Sequence, residues 1–369
     1  MRIVYVLLSP TFGMHQYTAD LANHQADDGK QDVHLVTTRT LAADRYGPQV
    51  AIHTPITTLG TGFTPEGLAI GQIAEVRKTI AALRPDVVHI TGVHLWNVPL
   101  VRWLAGQRIP CIHTLHDLDP HLGVRFGLLI RIWNRLILDS ASHILVHGYL
   151  YRDRLLTMGL SADRVTVTPL LHLFLSYPGF VALRLDAVQY QPWGLFFGRL
   201  ERYKGIADLL TAETMLPKET QGKHLVLAGP GAPAGIDLNT LSPRVEVRNR
   251  MIQDAEAVDL FQRCGVLVLP YLDATQSALV AAAYHFNKPV IVTRIGALPE
   301  YVQEGVTGWV VPPGDPAALA ACLKGALADP ARLQRMGSAG RDWYDDQRRW
   351  EALILRAMYE SCLLYTSHC

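Results

Sequence analysis

The chain has 369 residues, 49% of them hydrophobic, which is more than one ordinary domain needs and enough for two cores. Its formal net charge of +1 provides no broad cationic field and argues against nucleic acid as a partner. The five cysteines (Cys111, Cys264, Cys322, Cys362 and Cys369) are odd in number and scattered, without a CxxC pair, as in a reducing compartment with no structural zinc.

The first residues, MRIVYVLLSPTFG, lack the apolar core and cleavage site of a secretion signal. They read as a buried strand, Ile3 to Leu8, then a glycine loop from Ser9 to Gly13 and a helix from Met14 to about Gly29. A strand at Val33 to Thr37, a helix near Gly67 to Leu83 and a strand at Val87 to Ile90 follow. Cys111 to Leu115, a helix from about Val124 to Leu138 and Ile144 to His147 continue the alternation. Pro169 to Pro192 holds three prolines and one glycine with poor periodicity, and reads as a hinge. The rhythm restarts at Trp193 to Phe197 and runs through Leu225 to Ala228, Val266 to Leu269, Pro289 to Thr293 and Gly308 to Val311.

Short apolar strands separated by helices predict α/β architecture: two doubly wound, Rossmann-like domains with parallel sheets, facing a central cleft. The expected divisions are residues 1–172, a hinge at 173–192, a second domain at 193–340 and a C-terminal helix at 341–361 that packs back on the first domain. The last residues, 362–369, fit no element in this reading. No window approaches the roughly 20 apolar residues that span a bilayer, so a soluble, cytoplasmic chain is expected.

Arg199 and Lys204 lie on a turn between Gly198 and Gly205, directly after the apolar run Leu195 to Phe197. Arginine offers phosphate oxygens a planar fork and lysine a mobile point charge. Two solvated surface cations are the alternative, but cations at a helix start oppose its dipole. Ala274-Thr275-Gln276-Ser277 follows another strand and opens a helix. Its hydroxyls and amides can hold sugar or phosphate, or Thr275 or Ser277 can simply cap the helix. Gly229-Pro230-Gly231 has the wrong glycine spacing for a dinucleotide fingerprint and reads as a tight turn.

In the first half, histidines gather as His89, His94, His113, His116 and His121. Their spacing matches no standard ligand set, and His113, at a strand end, is expected to be partly buried. His116 and Asp117, on a loop after a strand, suit an acceptor hydroxyl better than a metal. The segment VRFGLLIRIWNRLILDSASHIL carries Arg125, Arg131, Trp133 and Arg135 among apolar residues. It reads as a peripheral contact with an anionic membrane surface, or as a mostly buried helix with its arginines at the rim. Apolar residues on most of its faces favour the second.

With these motifs assembled, the chain resembles glycosyltransferase family 4, the retaining, GT-B-fold transferases that use nucleotide sugars. The likeness runs over nearly the whole length through SPTFGMHQYTADLA, RPDVVHI, HTLHDLDPH, FGRLERYKGIADLLTA and LVLAGPG. It implies a nucleotide-diphosphate sugar as co-substrate on the C-terminal domain, no cofactor, no metal, and a glycan or lipid-linked acceptor on the N-terminal domain. Arg199 and Lys204 would neutralise the departing diphosphate, with His116 near the sugar and acceptor. Gly13, Gly198, Gly229, Thr275, Gln276, Ser277, Ala278 and Leu279 would line the donor, and His15 and Asp117 the acceptor side. The setting implied is bacterial cell-surface polysaccharide synthesis.

The chain departs from the family where two glutamates usually stand eight apart, at Ala274 and Ala282. Asp273, one position off, is a candidate substitute. Ala278 replaces a glycine, and Leu170-Leu171 stand where many members have His-Gly. Two other functions stay open: a nucleotide-sugar epimerase of the same fold, with Asp117, Asp119 and Glu300 as its few carboxylates, and a catalytically silent sugar-nucleotide binding protein.

Overall fold

The computed structural model describes residues 1–27, 29–62, 69, 71–118, 127–185, 188–217, 222–233, 235–238 and 240–366. The chain divides into two compact units, Met1–Val181 with Trp350–Cys369, and Ala182–Arg349.

The first unit contains, in order, β1 (Arg2–Leu7), α1 (Phe12–Ala26), β2 (Asp32–Thr38), β3 (Ala51–Ile56), α2 (Gly71–Leu83), β4 (Val87–Ile90) and α3 (Asn97–Gly106). It continues with β5 (Cys111–Thr114), α4 (Gly127–Ser140), β6 (His143–Val146), α5 (Tyr149–Thr157), β7 (Val165–Val167) and α6 (Tyr177–Val181). The strands form one parallel sheet in the order β3-β2-β1-β4-β5-β6-β7. Ile3 to Leu7 have no exposed surface, because helices cover both faces of such a sheet. The sequence did not mark β3, whose Pro55 is tolerated because the strand is at the sheet edge, beside a register shift between Val36 and Thr38.

The second unit begins with β8 (Gly194–Phe197), α7 (Ile206–Thr214), β9 (Leu225–Ala228), β10 (Val245–Arg248) and α8 (Asp254–Arg263). Then come β11 (Val266–Leu269), α9 (Ala278–His285), β12 (Val290–Thr293), β13 (Gly308–Val311), α10 (Pro316–Leu327) and α11 (Pro330–Thr366). Its sheet, also parallel, runs β10-β9-β8-β11-β12-β13. Strand β10 also escaped the sequence reading: it is an edge strand whose Glu246 pairs with Lys223 and Arg248.

In both sheets the strand order reverses beside the unit's first strand, between β1 and β4 and between β8 and β11. Doubly wound sheets bind ligands beyond the carboxyl ends of the strands at such a reversal. The loops carrying Arg199 and Lys204 (after β8) and Thr275 to Ser277 (after β11) flank the reversal in the second unit.

The C-terminal helix is longer than the expected 341–361. Asp329 Oδ1 accepts the N–H of Arg332 at 2.8 Å, and Pro330 opens α11. The residues from Cys362 to Thr366 continue the helix, which corrects the expectation that they fit no element. Leu355, Met358, Tyr359 and Cys362 fall at i, i+3, i+4 and i+7 and bury one apolar stripe in the first unit. Among the described residues no helix is long and apolar enough to cross a membrane.

Candidate active site

The loops at the carboxyl end of the second sheet meet at two places where backbone touches backbone. Gly229 has φ +143°, and a Cβ there would lie 2.1 Å from Gly198 O, so the turn after β9 presses against the loop after β8. Gly205 has φ +69°, and a Cβ there would lie 1.8 Å from Pro270 O. Leu272 N–H donates to Tyr203 O at 2.8 Å and stitches the same two loops.

Side chains then converge. The Lys204 ammonium sits 3.7 Å from the ring centroid of Tyr271 and 4.9 Å from that of Tyr203. Arg199 donates to Glu201 Oε1 at 2.6 Å and to the Tyr203 hydroxyl at 3.4 Å. The Tyr271 hydroxyl lies 3.5 Å from Ser277 Oγ, which accepts the N–H of Leu279 and caps α9. The Gly198 Cα faces the first turn of α9, 3.9 Å separating a Cβ placed there from Leu279. Arg199, Lys204, Gly198, Gly229, Ser277 and Leu279 therefore form one neighbourhood. Ser277 fills the capping role foreseen as its alternative, and Thr275, buried, uses its carbonyl to accept the N–H of Ala297 at 2.9 Å. Burial raises the Tyr203 phenol against the pull of Lys204 and Arg199, so it stays protonated and can donate. Ala274 and Ala282 are buried.

In the first unit, Gly13 opens α1 with nothing within 4 Å of a Cβ placed there. His15, on the same helix, is buried, with Nδ1 2.8 Å from the Tyr46 hydroxyl and Nε2 without a partner among the described residues. Burial pushes its pKa down to about 4. His116 is also buried, and burial lowers its pKa. Its Nε2 donates to Thr91 O at 2.9 Å, which leaves Nδ1 as the lone-pair nitrogen. Its ring stands edge-on to Tyr17 at 4.9 Å and tilted against His147 at 5.1 Å. The carbonyl of the next residue, Asp117, accepts from Asn134 at 3.0 Å. His15 is thus engaged with Tyr46, and His116 with Thr91, Tyr17 and His147.

His113 is fully buried rather than partly so, its Nε2 3.4 Å from the Asn97 amide. His121 and Asp119 lie outside the described residues. Among the described residues no group of three or more His, Cys, Asp or Glu is arranged to hold a metal ion. Sequence reasoning missed Tyr17, His147, Tyr203, Tyr271 and Glu201. Tyr203 and Tyr271 stand beside Lys204 and at the end of β11, but only the folded loops bring their rings to one ammonium.

Comparison with known proteins shows the family. The family model for "Glycosyl transferase 4-like domain" matches residues 12–170, and that for "Glycosyl transferases group 1" matches residues 191–329. A glycogen synthase of Mycobacterium tuberculosis is 30% identical over 290 residues, covering 73% of this chain and 67% of that protein. The chain is a group 1 glycosyltransferase of the family 4 type. This glycosyltransferase is also 26% identical over 373 residues to a D-inositol 3-phosphate glycosyltransferase of Streptomyces avermitilis, covering 89% of the chain and 78% of that protein. Among solved structures, Anabaena HepE in complex with UDP-glucose matches over 100% of both chains with a TM-score of 0.67 and 16% identity, a likeness of fold. The two Rossmann-like units are those of the GT-B class.

Proposed function

We propose that this glycosyltransferase takes a sugar from a nucleoside-diphosphate donor held by the Ala182–Arg349 unit and passes it, with retained configuration and without a metal, to a hydroxyl acceptor held by the Met1–Val181 unit. The observation that carries this reading is the Arg199–Tyr203–Lys204–Tyr271 cluster at the strand-order reversal of the second sheet. As the bond from the anomeric carbon to the diphosphate oxygen breaks, negative charge grows on the phosphate. A guanidinium fork, released from Glu201, and an ammonium oppose that charge. The acceptor oxygen attacks on the face the leaving group departs from, and its proton goes to the departing phosphate. Such a path needs charge stabilisation and confinement rather than an enzyme nucleophile, which accommodates Ala274 and Ala282. His116, its ring set by the bond from Nε2 to Thr91 O, is the residue of the first unit that this reading puts beside the sugar and acceptor.

The complex of HepE with UDP-glucose supports a uridine donor, and the inositol-phosphate and glycogen relatives support hydroxylated acceptors. A glycan or lipid-linked saccharide in bacterial surface polysaccharide synthesis, assembled on the cytoplasmic side, fits these chemistries. The test is incubation of the full chain with UDP-glucose and a chelator, with and without hydroxylated acceptors, followed by NMR of the products. Release of UDP with an α-linked product is expected. An isomerised sugar nucleotide would assign epimerase chemistry instead, and binding with no turnover on any acceptor would assign a silent binding protein.

A further inference from the structure

Tyr271 follows β11 and Pro270, and from the sequence it reads as the last core residue of an apolar run. The fold gives its ring a second task. Thr293 Oγ1 donates to the Tyr271 carbonyl at 2.6 Å, and the N–H of Leu272 donates to Tyr203 O, so the backbone on both sides of the ring is fixed. The residue is only 1% exposed, yet its ring carries the Lys204 ammonium 3.7 Å from the centroid. Its hydroxyl, 3.5 Å from Ser277 Oγ, is at the long limit of a hydrogen bond and contributes little. Lys204 stands on the turn before α7, where a cation opposes the helix dipole, and its flexible stem offers the ammonium many other positions. Among the described residues no carboxylate forms an ion pair with it, and the two tyrosine rings are what hold it.

We propose that Tyr271 is a positioning residue, whose ring face holds the Lys204 ammonium where it meets the diphosphate of the donor. A carboxylate could hold the ammonium too, but it would offset the charge, as Glu201 does beside Arg199. The negative face of a buried ring attracts the ammonium and leaves its charge for an incoming anion. Binding then does not have to immobilise a free lysine side chain, which is a recurring cost of association. Tyr203, 4.9 Å from the ammonium, is the second and weaker wall. This role rests on the donor reading of the same site. It belongs to the π face of Tyr271 rather than to its bulk or its hydroxyl, and that separates it from core packing.

The experiment titrates UDP, with uridine as the phosphate-free control, into the full chain and its variants. Tyr271→Phe keeps the ring and is expected to bind UDP within about twofold of the unsubstituted chain. A trifluorinated phenylalanine at the same position keeps the shape, and so the packing, but drains the negative face. It is expected to weaken UDP binding about fivefold while uridine binding holds. In a Lys204→Met background the fluorination should change nothing, because no ammonium remains to be held. Uridine affinity that falls in step with UDP would make the ring a packing residue and overturn the proposal. So would a fluorinated chain that binds UDP as well as Tyr271→Phe does, or a fluorination effect that persists without Lys204. If the unsubstituted chain binds no UDP, the donor reading fails and this role with it. If Lys204→Met weakens UDP binding while fluorination does not, this role fails alone.

Discussion

Lys204 lies over two aromatic rings, and Arg199 has a carboxylate already in its fork. The rings favour an ammonium electrostatically without neutralising its formal charge, so Lys204 remains an anion partner. Glu201 is different: it occupies one edge of the guanidinium that a diphosphate would take and adds a like charge beside it. Because the Arg199 side chain is 66% exposed, solvent screens this ion pair and its grip is weak. Glu201→Gln is therefore expected to tighten UDP binding by roughly two- to fivefold, measured by titration. An unchanged or weaker affinity would mean that Glu201 does not compete for the fork.

Element packing in the first unit depends on a buried file of hydroxyls and one imidazole. The hydroxyls of Tyr5 and Tyr359 lie 2.9 Å apart, and Tyr359 is 2.8 Å from His89 Nδ1. His89 Nε2 is 2.8 Å from Thr114 Oγ1, which is 3.1 Å from the Tyr17 hydroxyl. This chain ties α11 to β1, β4, β5 and α1. Tyr359→Phe keeps the ring but strands buried polar groups on both sides, a loss of about 2 kcal/mol in chemical denaturation with UDP affinity unchanged. Unaltered stability would show that the file is not a fastening.

The same elements show how far the sequence could be read. Buried parallel strands such as Val87–Ile90 and Leu225–Ala228 were legible because a two-sided environment demands continuous aliphatic runs. The edge strands β3 and β10 were not, since an edge admits Pro55 and the charges of Glu246 and Arg248. Arg199 and Lys204 were legible from their place after a strand, between glycines. Tyr203 and Tyr271 were opaque as partners because they belong to loops about seventy residues apart, joined by the Leu272–Tyr203 bond and the Gly205–Pro270 contact. The end of α11 was misread because its stripe of Leu355, Met358, Tyr359 and Cys362 is interrupted by exposed polar residues.

For the whole molecule, the many buried histidines set a pH dependence. Burial holds His15 and His143 at about 4 and His89 and His113 at about 3. An unfolded histidine titrates near 6.5, so below that pH the unfolded chain takes up protons that the fold refuses. The stability contributed by neutral histidines is thus complete above about pH 6.5 and is lost as the pH falls toward the folded values. Each such histidine contributes a slope of up to about 1.4 kcal/mol per pH unit. Denaturation midpoints should therefore drop steeply between about pH 6.5 and pH 5, and a flat profile would contradict burial of the neutral rings.

The donor reading concentrates in a small part of the second sheet, where the strand order reverses and two cations share Tyr203. Isothermal titration of UDP into the full chain and into Arg199→Ala and Lys204→Ala addresses it directly. The account predicts saturable binding to the unsubstituted chain, weakened on the order of tenfold or more by each substitution, with thermal unfolding of the free variants unchanged. Equal UDP affinity in all three folded proteins would contradict it.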